Sequence, residues 1–229
     1  MNEALPLTFW LQIRAKVMRN LTPIDKWLLN LDEAIRSTTG NLPASDENRS
    51  WQNDDQPALS IQQKRLSSRL MRVNHCGEVC AQALYSGQSI TSKSLATRNH
   101  MLAAAEDERK HLIWCQNRLT ELDSHVSYLN PVWFATSFLT GMATGLMGDS
   151  INLGFVAATE EEVCKHLDKH IELLPNQDRK SKEILAAMRD DEQRHHQDAL
   201  SLGGLRYPSP IRRIMTAISG LMTKTTYWL

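Results

Sequence analysis

Four stretches of the chain place apolar residues at helical spacing over a length suited to bundle helices: residues 60–91, 94–124, 150–174 and 177–202. The first stripe runs through Leu66, Leu70, Val73, Gly77, Ala81 and Leu84, and the second through Met101, Ala104, Cys115, Leu119 and Leu122. The third runs through Leu153, Val156, Val163, Leu167, Ile171 and Leu174, and the fourth through Leu185, Met188, Ala199 and Leu202. Ahead of them, residues 22–37 predict a short helix, with Thr22 as N-cap, Pro23 in its first turn and Trp27, Leu28, Leu31 and Ile35 on one face. Residues 38–57 are polar and rich in turn formers, which predicts a linker. The chain therefore divides into an N-terminal segment, 1–57, and a main domain, 58–229.

Two more segments stand apart from the four stripes. Residues 131–147 are almost wholly apolar, with Gly141 and Gly145 four apart, a spacing that lets helices approach closely. Toward the C-terminus, Ile211, Ile214, Met215, Ile218, Leu221 and Met222 share one face of an amphipathic stretch, with Arg212, Arg213 and Lys224 off it. The nearest approach to a membrane-spanning run, residues 131–150, is broken by Gly141, Gly145, Gly148 and Asp149. At the N-terminus Glu3 precedes the apolar stretch and Arg14, Lys16 and Arg19 follow it, the reverse of a secretory signal.

Composition narrows the class. Long proline-free stretches and only 6% aromatic residues point to an all-α protein. Lys+Arg and Asp+Glu balance at 26 each, so no bulk charge argues for nucleic acid. The four cysteines, at 76, 80, 115 and 164, lack CxxC spacing and read as reduced, buried, small apolar side chains, which suits a reducing cytoplasm.

The chemistry lies in acidic residues that interrupt the apolar stripes. Asp107-Glu108-Arg109-Lys110-His111 and Asp191-Glu192-Gln193-Arg194-His195 both read Asp-Glu-x-x-His, which sets a carboxylate and an imidazole one turn apart on a single face. In both cases that face is the apolar one. Uncompensated buried carboxylates cost several kcal/mol each, so a core that repeats them must pair or ligate them. A bundle-type two-metal site also needs one carboxylate from each of the other two helices. The first helix offers Glu78, the only acidic residue between Lys64 and Glu106. The third offers Glu160, Glu161 and Glu162; the stripe continues through 160, whereas 161 and 162 share faces with Lys165, Asp168, His166 and Lys169. Offsets of 82 residues (Glu78 to Glu160) and 84 (Glu108 to Glu192, His111 to His195) describe an internal duplication.

Glu78, Glu108, His111, Glu160, Glu192 and His195 are thus the candidate metal ligands, and their oxygen-rich set favours iron or manganese over zinc. Asp107 and Asp191, each one turn before a ligand histidine, are placed either to accept from an imidazole across the bundle or to pair on the surface. His75 stands one turn before Glu78 and is placed to support that ligand; His166 and His196 fall off the metal face; His100, His125 and His170 read as surface residues.

With these motifs placed, the chain resembles the Coq7 family of ubiquinone biosynthesis from about Leu21 to its C-terminus. The likeness rests on Arg72-Val73-Asn74-His75-Cys76-Gly77-Glu78, the two Asp-Glu-x-x-His blocks, and Ala157-Ala158-Thr159-Glu160-Glu161. Residues 1–20 fall outside it, and Met18 is an alternative start. The resemblance implies a ferritin-like four-helix bundle holding two iron ions on the six ligands, and O₂-dependent hydroxylation of the demethoxylated quinol precursor of ubiquinone. It implies a polyprenyl quinol substrate and peripheral contact at the cytoplasmic face of the cell membrane, through 131–147 and the C-terminal stretch. Other ubiquinone-biosynthesis proteins and a second copy of the chain are compatible partners. No glycine-rich nucleotide loop marks an electron donor, so a partner or a small molecule must reduce the site. The alternative is a non-catalytic iron-handling protein of the ferritin or rubrerythrin type. A radical-forming ribonucleotide reductase subunit would need a tyrosine near the metals, for which Tyr85, two turns from Glu78, is the candidate.

Overall fold

In a computed structural model, residues 32, 34–42, 51 and 57–229 are described. Among them every regular element is helical: α1 (Ile61–Thr91), α2 (Leu95–Glu121), α3 (Asn130–Leu146), α4 (Asp149–Leu173), α5 (Arg179–Ser201) and α6 (Ser209–Thr226). The predicted N-terminal helix lies largely outside the described residues; its end is helical over 34–39, two residues into the expected linker. The rest of that linker, apart from Trp51, also lies outside them.

Local chemistry sets the helix starts. Ser60 and Gln63 form a reciprocal capping box on α1, Ser94 accepts from the Thr97 amide on α2, and Asp178 accepts from the Ser181 amide on α5. Gly148 separates α3 from α4 with a φ of +113°, a conformation that side chains other than glycine's resist.

The helices pair as two antiparallel hairpins, α1 with α2 and α4 with α5, which meet through α1–α4 and α2–α5. Arg118 on α2 ties the second seam, with Nη2 donating to the buried Asp178 at 2.7 Å and Nε to Ser181 at 2.8 Å. Of three buried apolar clusters among the described residues, two fill the interior at different levels. One gathers Leu70, Met71, Leu119, Leu167, Leu185 and Met188; the other gathers Ala81, Tyr85, Met101, Val156, Ala157 and Ala199. On all four helices the acidic and imidazole residues of the candidate site fall between these two levels.

The apolar segment that the sequence sets apart is α3, laid along the outside of α1. Its glycines make the close approach expected of them: a Cβ on Gly141 would stand 2.2 Å from the Leu84 carbonyl oxygen, and one on Gly145 2.0 Å from Thr91 Oγ1. Val132, Leu139, Leu146 and Met147 face outward from it. Helix α6 docks through its polar side. Arg212 pairs with Glu161, Thr216 donates to Glu162 at 2.9 Å, and Ser219 meets His166 at 3.2 Å. Its apolar stripe, Ile211, Ile214, Ile218 and Leu221, is left exposed. No helix among the described residues is long and apolar enough to cross a membrane.

Candidate metal centre

Each hairpin contributes one helix with a lone carboxylate and one with an Asp-Glu-x-x-His block. Glu78 and Glu160 come from α1 and α4; Glu108 with His111, and Glu192 with His195, come from α2 and α5. All six side chains are buried, none more than 3% exposed. Glu78, Glu108, His111 and Glu192 offer four ligand atoms within 4.8 Å of one another, a group able to hold a metal ion.

His195 adjoins this group. His111 Nδ1 stands 3.4 Å from Glu108 Oε2 and 3.0 Å from Glu192 Oε1, while His195 Nδ1 stands 3.5 Å from Glu108 Oε1 and 3.0 Å from Glu192 Oε2. Glu108 and Glu192 therefore each turn one oxygen to each imidazole. Glu78 lies beside His111, its Oε2 3.5 Å from Nδ1. Glu160 accepts a hydrogen bond from Tyr85 and acts electrostatically on the same cluster, chiefly through Glu192. Its neighbours Glu161 and Glu162 point outward to Lys165 and α6, as the stripe requires.

The far nitrogens are anchored across the bundle. His111 Nε2 meets Asp191 Oδ2 at 3.0 Å and His195 Nε2 meets Asp107 Oδ2 at 3.3 Å, so each aspartate serves the imidazole of the opposite hairpin. Of the two roles open to these aspartates in the sequence, both accept from an imidazole, and both also hold a cation: Lys110 on Asp107 at 3.1 Å, Arg194 on Asp191 at 2.9 Å. With Nε2 protonated toward Asp, Nδ1 is left aimed into the cluster.

Charge crowding shapes the protonation of these groups. Burial, reinforced by the charge of Glu108, pushes Glu78 well above the ordinary carboxylate range; burial and Glu192 do the same to Glu160. Burial also works on Glu108, but the imidazoles of His111 and His195 outweigh it and hold that carboxyl low. Against the cost of burial, Asp191, Glu108 and Glu192 raise His111, and Glu108 and Glu192 raise His195 to about 12.

Hydrogen bonding leaves a specific gap. Both oxygens of Glu108, Oε1 of Glu192, Oε2 of Glu160 and Nδ1 of His111 are buried without a hydrogen bond. Carboxyl oxygens and an imidazole nitrogen left over and converging in an interior layer fit a divalent cation, and carboxylate with imidazole suits iron or manganese.

The other histidines mostly follow the sequence reading. His196 turns away to the Ala157 carbonyl at 2.7 Å, and His166 to α6. His75 is fully buried against Asn130 of α3, its Nδ1 3.5 Å from Nδ2, and so serves helix packing. His170 is a correction: read as a surface residue, it is 6% exposed, because its Nδ1 reaches Asn74 Oδ1 on α1 at 2.8 Å. Such a cross-helix pairing leaves no trace in residue spacing. Cys76, Cys115 and Cys164 are buried and Cys80 partly so, all unpaired, as small apolar packing residues should be.

Comparison with known proteins points to one family. The family model "Ubiquinone biosynthesis protein COQ7" matches residues 65–226, which contain all six candidate ligands. Three relatives each bear the name 3-demethoxyubiquinol 3-hydroxylase. The one from Pseudomonas aeruginosa is 47% identical over 211 residues, covering 91% of this chain and 97% of the relative. That from Ectopseudomonas mendocina is 46% identical over 209 residues, with the same coverage. That from Nitrosococcus oceani is 44% identical over 211 residues, covering 92% of this chain and 99% of the relative. A match running through every helix of the bundle and both Asp-Glu-x-x-His blocks settles the kinship: the chain belongs to the COQ7 family of ubiquinone biosynthesis proteins.

Proposed function

We propose that this chain is a 3-demethoxyubiquinol 3-hydroxylase, acting with dioxygen at a centre of two iron ions inside a ferritin-like four-helix bundle. One observation carries the two-metal reading: Glu108 and Glu192 each direct one oxygen to each of two imidazole nitrogens. Carboxylates so placed would serve two metal positions, with Glu78 and His111 completing one and Glu160 and His195 the other. The substrate comes from the names of relatives 44–47% identical over nearly the whole chain.

Iron bound by these six residues supplies the oxygen activation that ring hydroxylation needs. The protein's part is positional. Asp191 and Asp107 hold the protons on Nε2 of His111 and His195, which fixes Nδ1 as the inward donor. The apolar clusters above and below the layer exclude water from it.

A quinol with a polyprenyl tail resides in a bilayer. We assign the chain to the cytoplasmic face of the cell membrane as a peripheral protein, touching lipid through the exposed residues of α3 and α6. Support comes from the inverted docking of α6, whose polar side meets the bundle while Ile211, Ile214, Ile218 and Leu221 face out.

Cells lacking this chain should accumulate demethoxyubiquinone in air and recover ubiquinone with the wild type but not with Glu192→Ala. Normal ubiquinone in such cells, with no second hydroxylase present, would end the substrate assignment. Metal analysis should find two iron ions per chain and fewer in Glu192→Ala; full loading of that variant would end the ligand assignment.

A further inference from the structure

Tyr85 is fully buried on α1, and its hydroxyl donates to Oε1 of Glu160 across the bundle. Seven residues beyond Glu78, it lies on the same helical face, about two turns along. Its ring also packs edge-on toward His195, with centroids 6.3 Å apart. The other oxygen of Glu160, Oε2, is buried with no hydrogen bond. One oxygen of this carboxylate is thus engaged by the protein and the other left over.

The duplicated architecture supplies an internal control. Seven residues beyond Glu160, in the corresponding register of α4, stands Leu167, buried and without a donor. The half that holds Glu160 in place has a hydroxyl; the half that would hold Glu78 has a hydrocarbon. All other elements of the site come in matched pairs: the two bridging carboxylates, the two imidazoles and the two cross-bundle aspartates. The difference between Tyr85 and Leu167 breaks that symmetry at the terminal carboxylates.

We propose that Tyr85 is a positioning residue that restricts Glu160 to a single ligating oxygen, Oε2, and so makes the two metal positions inequivalent. A carboxylate oxygen that accepts a hydrogen bond is restrained in rotation and a weaker donor to a cation. The position shared by Glu160 and His195 then has four protein donor atoms at most, one each from Glu160, His195, Glu108 and Glu192. No hydroxyl in the matching register restrains Glu78, whose hydrogen-bond partners, His111 and Glu108, are themselves site residues. The more open position is the one on Tyr85's side. This inference rests on the two-metal reading above.

Cobalt(II) is the probe, because its visible absorption falls stepwise as its ligands rise from four through five to six. Titrating metal-free wild type with cobalt should give two equivalents with different spectra, at least one of them intense. Tyr85→Phe, which keeps the ring and removes the hydroxyl, should still bind two equivalents with the absorption of one of them weakened, as Glu160 closes on with both oxygens and takes that position from four protein donors to five. A Tyr85→Phe spectrum identical to wild type at two bound equivalents would overturn the proposal. Two wild-type equivalents with identical spectra would also overturn it, whatever the fate of the variant. Failure of the wild type to bind two equivalents at all would instead count against the two-metal reading. Circular dichroism of the variant verifies that its helices are intact.

Discussion

Loading the buried cluster with a divalent cation at neutral pH has to expel protons, and the structure sets how many. His111 lies well above its ordinary pKa and His195 is raised to about 12, so both imidazoles are protonated at pH 7 before a metal enters. Burial also raises the carboxyls of Glu78 and Glu160 well above 4.5. Metal ligation requires neutral imidazole at Nδ1 and ionised carboxylate, so loading should release about two protons from the imidazoliums and up to about two more from the carboxyls. Each proton released steepens the pH dependence of affinity by about tenfold per pH unit, or about 1.4 kcal/mol. Calorimetric titration with manganese(II) in buffers of different ionisation enthalpy counts them directly, as the slope of observed heat against buffer enthalpy. Release of fewer than one proton at pH 7 would refute the reasoning. The linked effect on the metal-free protein has a definite sign. Glu78 and Glu160, with raised folded pKa values, contribute stability that is present below about 4.5 and lost as pH rises through their folded values.

Three more expectations follow from named contacts. Asp191→Asn should weaken metal binding by about 10- to 100-fold, because the His111 imidazole loses its anionic anchor; competition with a chelator measures it, and unchanged affinity would deny the aspartate that role. Gly141→Ala should destabilise the fold by about 1–3 kcal/mol, since its Cβ would meet the Leu84 carbonyl oxygen at 2.2 Å. Gly77→Ala, with nothing within 4 Å, should stabilise α1 by about 0.5–1 kcal/mol, and urea unfolding of both variants should show these opposite signs. Burial lowers His170 from 6.5 to about 4, so its contribution is present above pH 6.5 and lost as pH falls toward 4. The loss is on the order of 3 kcal/mol; His170→Gln should remove that slope relative to wild type, and equal slopes would show that burial does not lower the His170 pKa.

How far the sequence foretold the site depends on the kind of information each residue carries. Glu78, Glu108, His111, Glu192 and His195 were legible because each interrupts an apolar stripe, and a charge inside such a stripe needs a partner. The choice of Glu160 over Glu161 and Glu162 was legible for the same reason: a one-residue step turns a helical side chain by about 100°. Contacts between helices were not legible. Asp107 and Asp191 were as well suited to a surface salt bridge as to an imidazole, and only the antiparallel register of α2 against α5 decides. His170 was misplaced because its partner, Asn74, lies on a different helix. Tyr85 stood out in the sequence only as a tyrosine two turns from Glu78; its bond to Glu160 depends on the α1–α4 pairing. The docking of α6 by its polar face reverses what an amphipathic pattern ordinarily means.

The run Glu160-Glu161-Glu162 makes one turn of α4 do two unlike jobs. Glu160 faces the interior, while Glu161 and Glu162 grip Arg212 and Thr216 of α6. Force applied to the outermost helix therefore enters the bundle at the turn that carries an inward-facing carboxylate, with no flexible loop between them to absorb it. If α6 meets a bilayer as proposed, seating or lifting it would act directly on that turn, about one residue's rise from Glu160 itself.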